Sequence, residues 1–356
     1  MTDISWITLL KAAFMPFTIL AVVPLLIWVE RRGSAFIQDR PGPNRARVGS
    51  FTLLGLPHVV ADAIKFVTKE SFVPEGAYKP LYYIAPFFAV APALSTIAVV
   101  PFAAPLDVNG QTLHFQGIPL ESGLILIFAL TALSVYSIVL GGWSSNNRYS
   151  LLGGLRASAQ MISYEVSLIL TLLGALMIYG TAELNTMVEA QTHLPYMWGF
   201  VLQPVGFILF LVVGVAEIER IPFDIPEAES EVVAGYHTEY SGLKFSMYMF
   251  GQYVTSIIVS AIVVTVFLGG WQVPFFSTQA LDGTVGTIGR VLLQMGSFTF
   301  KMALMLWFLV WLRWTLPRFR YDQLMRLGWK VILPITLVNI FLTGLIVLLF
   351  DSFMGV

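Results

Sequence analysis

Residues 217–242 read EIERIPFDIPEAESEVVAGYHTEYSG and stand between two long apolar runs, about 196–217 and 245–268. Seven carboxylates fall in that stretch (Glu217, Glu219, Asp224, Glu227, Glu229, Glu231 and Glu239) against one cation, Arg220. The whole chain holds 21 acids in 356 residues, so a third of them are gathered in one loop. Each flanking run is long enough to cross a bilayer, which takes roughly 20 residues. Acids massed at such a boundary are costly unless they share protons, pair with a cation or meet water. The alternation of apolar run and charged loop decides the fold. The placement of the acids points to the movement of protons or charge.

The same alternation extends in both directions. Apolar runs at about 7–29, 81–104, 122–143, 157–180, 196–217, 245–268, 294–313 and 331–350 predict an all-α, polytopic membrane protein. It is read as one bundle of eight transmembrane helices over residues 1–356, with amphipathic helices in long cytoplasmic loops. Hydrophobic residues make up 57% of the chain and charged ones 12%, which overrides the two soluble domains its length would suggest. The first run is bounded by Glu30-Arg31-Arg32 and lacks a small-residue cleavage site, so it reads as a retained span.

Cations follow the odd-numbered runs: Arg31, Arg32, Arg40, Arg45, Arg47, Lys65, Lys69 and Lys79 after the first, Arg148 and Arg156 after the third. Arg220 and Lys244 follow the fifth; Arg318, Arg320, Arg326 and Lys330 follow the seventh. The opposite loops, 105–121, 181–195 and 269–293, carry only Arg290. Positive residues stay on the cytoplasmic side. Both termini are therefore expected on the outer, periplasmic side of a bacterial cytoplasmic (inner) membrane.

Cysteine is absent, and the four histidines, His58, His114, His193 and His237, lie far apart. That argues against disulfides, thiolate-held iron–sulfur clusters and any zinc or haem pair, so no metal site is expected. GTVGTIG at 283–289 follows no strand and carries no phosphate-loop reading. The lack of an internal repeat counts against a transporter built from paired halves.

In the first loop, Pro41, Gly42 and Pro43 demand a fixed turn. In PHVVADAIKFVTKE, residues 57–70, Val59, Ala63 and Val67 recur at helical spacing while Asp62, Lys65 and Lys69 take another face. That pattern predicts an amphipathic helix along the membrane surface. Pro16, Pro24, Pro86 and Pro92 predict kinked spans bordering cavities.

Asp224-Ile225-Pro226-Glu227 has the form of a capping box, which explains Asp224 and Glu227 but neither Glu217 nor Glu239. Glu227 and Glu231, four apart, repel when both are ionised. The fourth span carries a polar stripe, Arg156, Gln160, Ser163, Ser167 and Thr171, with Glu165 away from it. A carboxylate inside a span costs about 2.5–3.5 kcal/mol, so Glu165 is expected to face water or a partner such as Glu217 or Lys301. In LRWTLPRFRYDQLMRLGWK, residues 312–330, Tyr321 and Asp322 beside the arginines suggest a docking surface.

Five stretches together resemble the H-type (mitochondrial subunit 1) family of respiratory complex I. They are ERR with QDRPGPNR at 30–45, ADAIKFVTKE at 61–70, GWSSNNRYSLLGGLRASAQMISYEV at 142–166, RIPFDIPEAESEVVAGYHTEYSG at 220–242 and LPRFRYDQLMRLGWK at 316–330. The resemblance implies a membrane subunit of the proton-translocating NADH:quinone oxidoreductase. Such a subunit forms much of the quinone chamber with the hydrophilic arm, and couples quinone reduction to proton translocation. It implies as partners the hydrophilic quinone-module subunits, the small membrane subunits adjoining the antiporter-like subunits, quinone and the lipid bilayer, with no nucleic acid. Quinone is the implied substrate. FMN and iron–sulfur clusters belong to partner subunits, with no redox centre and no covalently bound cofactor in this chain.

Residue by residue, the resemblance implies a proton relay through Glu165, Glu217, Glu227, Glu229, Glu231 and Glu239. It implies a quinone chamber and entrance at Arg31, Arg40, Asp62, Phe223, Asp224, Arg313 and Arg318, and subunit docking at Arg320, Tyr321 and Asp322. The chain departs from the family at PHVV, residues 57–60, and at Glu219, which is expected to pair with Arg220 and leave Glu217 to titrate. The alternatives are the homologous subunit of a membrane-bound hydrogenase or other non-NADH complex, and a free-standing ion transporter. Large cytoplasmic loops count against the latter.

Overall fold

A computed structural model of the chain describes residues 6–47, 51–108, 111–192, 194–224 and 233–354. Twelve helices are followed here in chain order: α1 (Trp6–Ile37), α2 (Pro57–Thr68), α3 (Lys79–Thr96), α4 (Gly123–Ser144), α5 (Arg148–Tyr179) and α6 (Leu184–Ala190). Then come α7 (Gly199–Leu202), α8 (Pro204–Glu217), α9 (Gly242–Phe267), α10 (Thr278–Thr315), α11 (Tyr321–Leu327) and α12 (Leu333–Met354). A hairpin of β1 (Leu106–Val108) and β2 (Gln111–Leu113), with Leu106 opposite Leu113, interrupts the helical chain between α3 and α4. The protein is an all-α, multi-pass membrane protein.

Among the described residues six helical stretches are long and apolar enough to span a membrane: Lys79–Val99, Gly123–Ser144, Arg148–Tyr179, Gly242–Phe267, Thr278–Thr315 and Tyr321–Leu349. The expected first run lies within α1. The expected fifth is broken at Gln203 into α7 and the 14-residue α8, because Pro204 starts a new helix and cannot continue the old one. The expected second span stops short at Thr96, where a 3₁₀ turn and then Val100-Pro101 leave the helical conformation. The fourth starts nine residues earlier than its apolar run, since the Asn147 side chain accepts from the Tyr149 N–H at 2.9 Å and caps it. The stretch 278–293 is helix, continuous with the seventh span and broken only where Gly286 takes a positive φ of 74°.

The packing follows the burial. Every residue from Ser256 to Phe267 of α9 is buried, so this helix is the axis of the bundle. By contrast α12 exposes Leu337, Val338, Phe341, Leu345 and Leu348, the composition of a lipid-facing surface. Three members of the polar stripe on α5, Gln160, Ser167 and Thr171, are buried. Gln160 Nε2 donates to the carbonyls of Ala216 (3.2 Å) and Phe223 (2.8 Å), tying α5 to the end of α8.

The surface helix α2 forms where its periodicity predicts. Asp62 and Phe66 turn towards the bundle, Asp62 to Arg31 and Phe66 to the Phe245 ring at 6.4 Å. Val67, on the apolar stripe, is 70% exposed together with Val60 and Ile64. Pairing of Asp62 sets the rotation, and the apolar residues are left facing outwards.

Candidate functional site

The first loop is rigid at its base. Arg32 donates through Nε and an Nη to the Leu54 carbonyl (3.1 and 2.9 Å) and through its other Nη to the Pro41 carbonyl (2.9 Å). His58 Nε2 accepts the N–H groups of Arg45 and Ala46. Gly55 is required here, since a Cβ would lie 2.2 Å from the Pro43 carbonyl oxygen. The turn at Pro41–Pro43 therefore holds the ends of α1 and α2 together.

At that end of α1 sits a cluster of charges that the bundle closes over. Glu30 is 4% exposed and receives two guanidiniums, Arg220 at 3.1 Å and Arg313. Arg220 also stacks over the Tyr253 ring, 4.0 Å from its centroid. Burial on its own would raise the Glu30 carboxyl, but the charges of Arg220 and Arg313 outweigh it and hold the group below its ordinary value. Sequence reasoning places Glu30 only as the boundary of the first span. Its signal is one acid at the junction of an apolar run and two arginines. Arg220 was expected to pair with Glu219; its carboxylate partner here is Glu30, 190 positions away.

Beside this cluster Asp224, 2% exposed, pairs with Arg318 at 2.9 Å. Phe223 stacks on Phe319 (5.5 Å between centroids, 17° between planes), and the Phe319 N–H donates to the Pro222 carbonyl at 3.0 Å. Residues 222–224 and 318–319 are thus joined as one unit, next in the chain to Arg220 and Arg313, the two guanidiniums that meet Glu30. Arg31 meets Asp62 at 2.5 Å, with Lys65 on the other oxygen at 3.3 Å. Arg40 is not drawn to Asp62; it donates to Gln38 (2.7 Å) and Ser34 (3.3 Å).

The acids divide into different environments. Glu217 is 5% exposed, and among the described residues its Oε2 has no hydrogen-bond partner. It lines a cavity of about 30 Å³ with Ser134, Ser137, Glu219, Tyr236, Tyr248 and Gln252. A polar cavity needs only about 10–15 Å³ to hold a water. Glu165 lies within electrostatic reach of Glu217, the partner its sequence position suggested. Glu219 accepts from the Tyr236 hydroxyl at 3.4 Å. Glu239 accepts from Asn147 Nδ2 at 2.5 Å and lines an open cavity of about 380 Å³ with Pro74, Asn146, Arg148 and Tyr149. Glu227, Glu229 and Glu231, with the expected capping box, lie outside the described residues.

Between Glu239 and the Glu217 cavity runs a set of rings that sequence reasoning missed. Tyr82 and Tyr240 stack at 4.3 Å; Tyr240 meets Tyr248 at 5.0 Å, and Tyr248 meets Tyr236 at 5.2 Å. The hydroxyls engage Ser144, the Ser137 carbonyl and Glu219 in turn. Burial raises the Tyr240 phenol above its ordinary value, against hydrogen bonds from Ser144, Tyr248 and Ser145. It stays a neutral O–H, able to donate and accept. Tyr236 and Tyr240, four apart in GYHTEY, were the available signal.

One further expectation changes. Among the described residues Lys301 partners no carboxylate: Nζ donates to the carbonyls of Leu268 (2.8 Å), Gly270 (3.0 Å) and Gln272 (2.7 Å) and sits over the Trp198 ring. Gly269 and Gly270, both at positive φ, turn those carbonyls inwards. Near residue 320, Arg320 pairs with Asp322 at 3.2 Å, both exposed, while the Tyr321 ring lies under Arg156 at 5.0 Å. Among the described residues no group of three or more histidine, aspartate or glutamate side chains gathers as a metal site.

The sequence model of the family described as NADH dehydrogenase matches residues 10–344. The chain belongs to that family. It is similar to the first of the H-type chains of the NADH-quinone oxidoreductase of Geobacter metallireducens, 46% identical over 343 residues that cover 96% of this chain and 97% of the relative. The second H-type chain of the Geobacter sulfurreducens oxidoreductase is 45% identical over 334 residues, 94% of each chain. The H-type chain of the Bdellovibrio bacteriovorus NADH-quinone oxidoreductase is 41% identical over 381 aligned positions, 97% of each. The NADH dehydrogenase family match thus spans the charge cluster, the Glu217 cavity and every described loop acid, and these relatives run the length of this chain.

Proposed function

We propose that this chain is the membrane subunit through which an NADH:quinone oxidoreductase couples quinone reduction to proton translocation. The observation that carries the reading is Glu217: a buried carboxylate with an unpartnered oxygen, beside a water-sized polar cavity and one step from the charge cluster around Glu30. Near-full-length similarity to chains named as parts of NADH-quinone oxidoreductases supports the assembly, with the other subunits of the complex as partners. FMN and iron–sulfur clusters are assigned to those partners.

Reducing a quinone to a quinol consumes two electrons and two protons. Arg31, Arg40, Asp62, Phe223, Asp224, Arg313 and Arg318 form the chamber and its entrance, with Glu30 and Arg220 fixing the positive inner wall. A long quinone tail enters sideways between the proline-bearing α1 and the surface helix α2. Negative charge arising on the quinone is met by guanidiniums already held in place, at no cost in reorganisation. The acids of the 217–239 loop respond by exchanging protons, and Glu239, the tyrosine hydroxyls, Glu219, Glu217 and Glu165 carry the path into the bilayer. Glu227, Glu229 and Glu231 belong to the same relay by their place in the loop. Arg320, Tyr321 and Asp322 dock the hydrophilic arm.

Glu217→Gln keeps shape and hydrogen bonding but removes titration. The complex carrying it is expected to assemble and to move fewer protons per electron; a normal ratio, measured in proteoliposomes, removes Glu217 from the relay. The topology proposed is eight crossings with both termini outside. Single cysteines introduced into this cysteine-free chain test it, since labelling of residues 144–147 by an impermeant reagent from the outer side would overturn it.

A further inference from the structure

Far from the charge cluster lies a larger cavity, about 710 Å³, between α1, α9 and α10. Near their cytoplasmic ends α1 and α10 touch closely: a Cβ built on Gly33 would stand 3.2 Å from Val310 and 3.3 Å from Trp307. Towards the start of α1 Phe102, Leu113, His114 and Phe115 also line the cavity, the Phe102 N–H donating to the Phe115 carbonyl at 3.1 Å. The walls are Met15, Ile19, Val22, Ile257, Met295 and Met302. Two threonines in the lining add no polarity, since Thr18 and Thr299 donate back to the carbonyls of Met15 and Met295 on their own helices.

One cation lines this apolar space. Lys11 Nζ donates to the His114 carbonyl at 3.2 Å, and an ammonium has two further N–H donors. Among the described residues it has no carboxylate partner. Lys11 is separated from Glu30 by about 28 Å along α1, at 1.5 Å per residue. That is close to the roughly 30 Å of a bilayer's hydrocarbon core, so Lys11 and the charge cluster lie at opposite interfaces. An apolar slot of this volume falls within the range of ligand sites, and basic residues between membrane helices recognise anionic headgroups.

We infer that the cavity between α1, α9 and α10 is a site for an anionic phospholipid, one acyl chain filling the slot and the phosphate bound by Lys11. The inference is independent of the quinone chemistry proposed above. The bound chain would lie between Met15 and Val22 of α1 and Met295 and Met302 of α10.

The test uses the whole complex in nanodiscs doped with a phosphatidylglycerol that carries a photoactivatable diazirine near the end of one chain. Labelling is expected on Ile257, Met295 and Met302, mapped by mass spectrometry. Lys11→Gln should lower it about fivefold, the share of one lysine in attraction to an anionic lipid. Thr299→Phe, which fills the slot and leaves Lys11 in place, should abolish labelling at those positions while leaving other lipid-facing sites unchanged. Equal labelling in Lys11→Gln, or by a diacylglycerol probe that lacks the phosphate, would overturn the headgroup assignment. Absence of label at these positions while the probe labels other lipid-facing sites would overturn the inference as a whole, since no lipid chain would then occupy the slot.

Discussion

Two buried carboxylates, Glu30 and Glu217, are excluded from water to nearly the same degree, 4% and 5% exposed. They differ in what surrounds them. Glu30 is clasped by Arg220 and Arg313, with Tyr253 beside it. Glu217 has a small polar cavity, Glu165 within electrostatic reach and an oxygen with no partner. A carboxylate between two guanidiniums is fixed in charge and geometry, suited to holding a wall. A carboxylate facing room for water is suited to exchanging a proton. Burial alone does not distinguish a structural acid from a relay acid; the neighbours do.

The largest expected effect comes from Glu30→Gln, which leaves two guanidiniums buried against each other. Breaking a buried ion pair from one side costs about 3–5 kcal/mol, so the yield and thermal stability of the assembled complex should fall sharply. Adding Arg220→Met should recover part of the loss. Glu217→Gln breaks no ion pair and replaces a carboxylate by an amide of the same shape, so its loss should be smaller than that of Glu30→Gln. Equal thermal losses in the two variants would break the comparison.

The pH dependence sharpens it. Because the folded Glu30 carboxyl is held below its ordinary value of 4.5, its contribution is present above that value and is lost as pH falls through the folded value. Unfolding of the detergent-solubilised chain between pH 7 and pH 3 should show this acid loss in the wild type. In Glu30→Gln that component should be missing, and an unchanged pH profile would contradict the assignment.

The smallest effect on stability is expected at Arg31–Asp62, whose side chains are 45% and 25% exposed. Such a pair contributes about 0–1 kcal/mol. Asp62→Asn should leave stability nearly unchanged but lower quinone reduction, while electron transfer to an artificial acceptor upstream persists. Equal loss of both activities would point to failed assembly and remove Asp62 from the entrance.

Much of the fold is legible in the sequence. Apolar length fixes a membrane-spanning helix because no backbone group can go unpaired in lipid, and six of the predicted spans reappear as long apolar helices. The resemblance implied a shared place for Phe223, Asp224, Arg313 and Arg318, and the structure joins Asp224 to Arg318 and Phe223 to Phe319. The boundaries were less legible: Pro101 and Pro204 ended helices inside apolar runs, and Asn147 began one outside its run.

What the sequence determined by itself was therefore local: which segments are apolar enough to cross, which loops carry charge, and where acids are concentrated. Only the tertiary structure decided the partners. Glu30 meets Arg313 across 283 positions, Arg220 turns to Glu30, and Lys301 finds carbonyls exposed by two left-handed glycines. Tyr82 joins Tyr240 across 158 positions to build a hydroxyl path no single segment contains. The reason is physical. Periodicity and hydropathy act within a helix, whereas a buried charge is settled by whichever group from another helix reaches it first at hydrogen-bond distance.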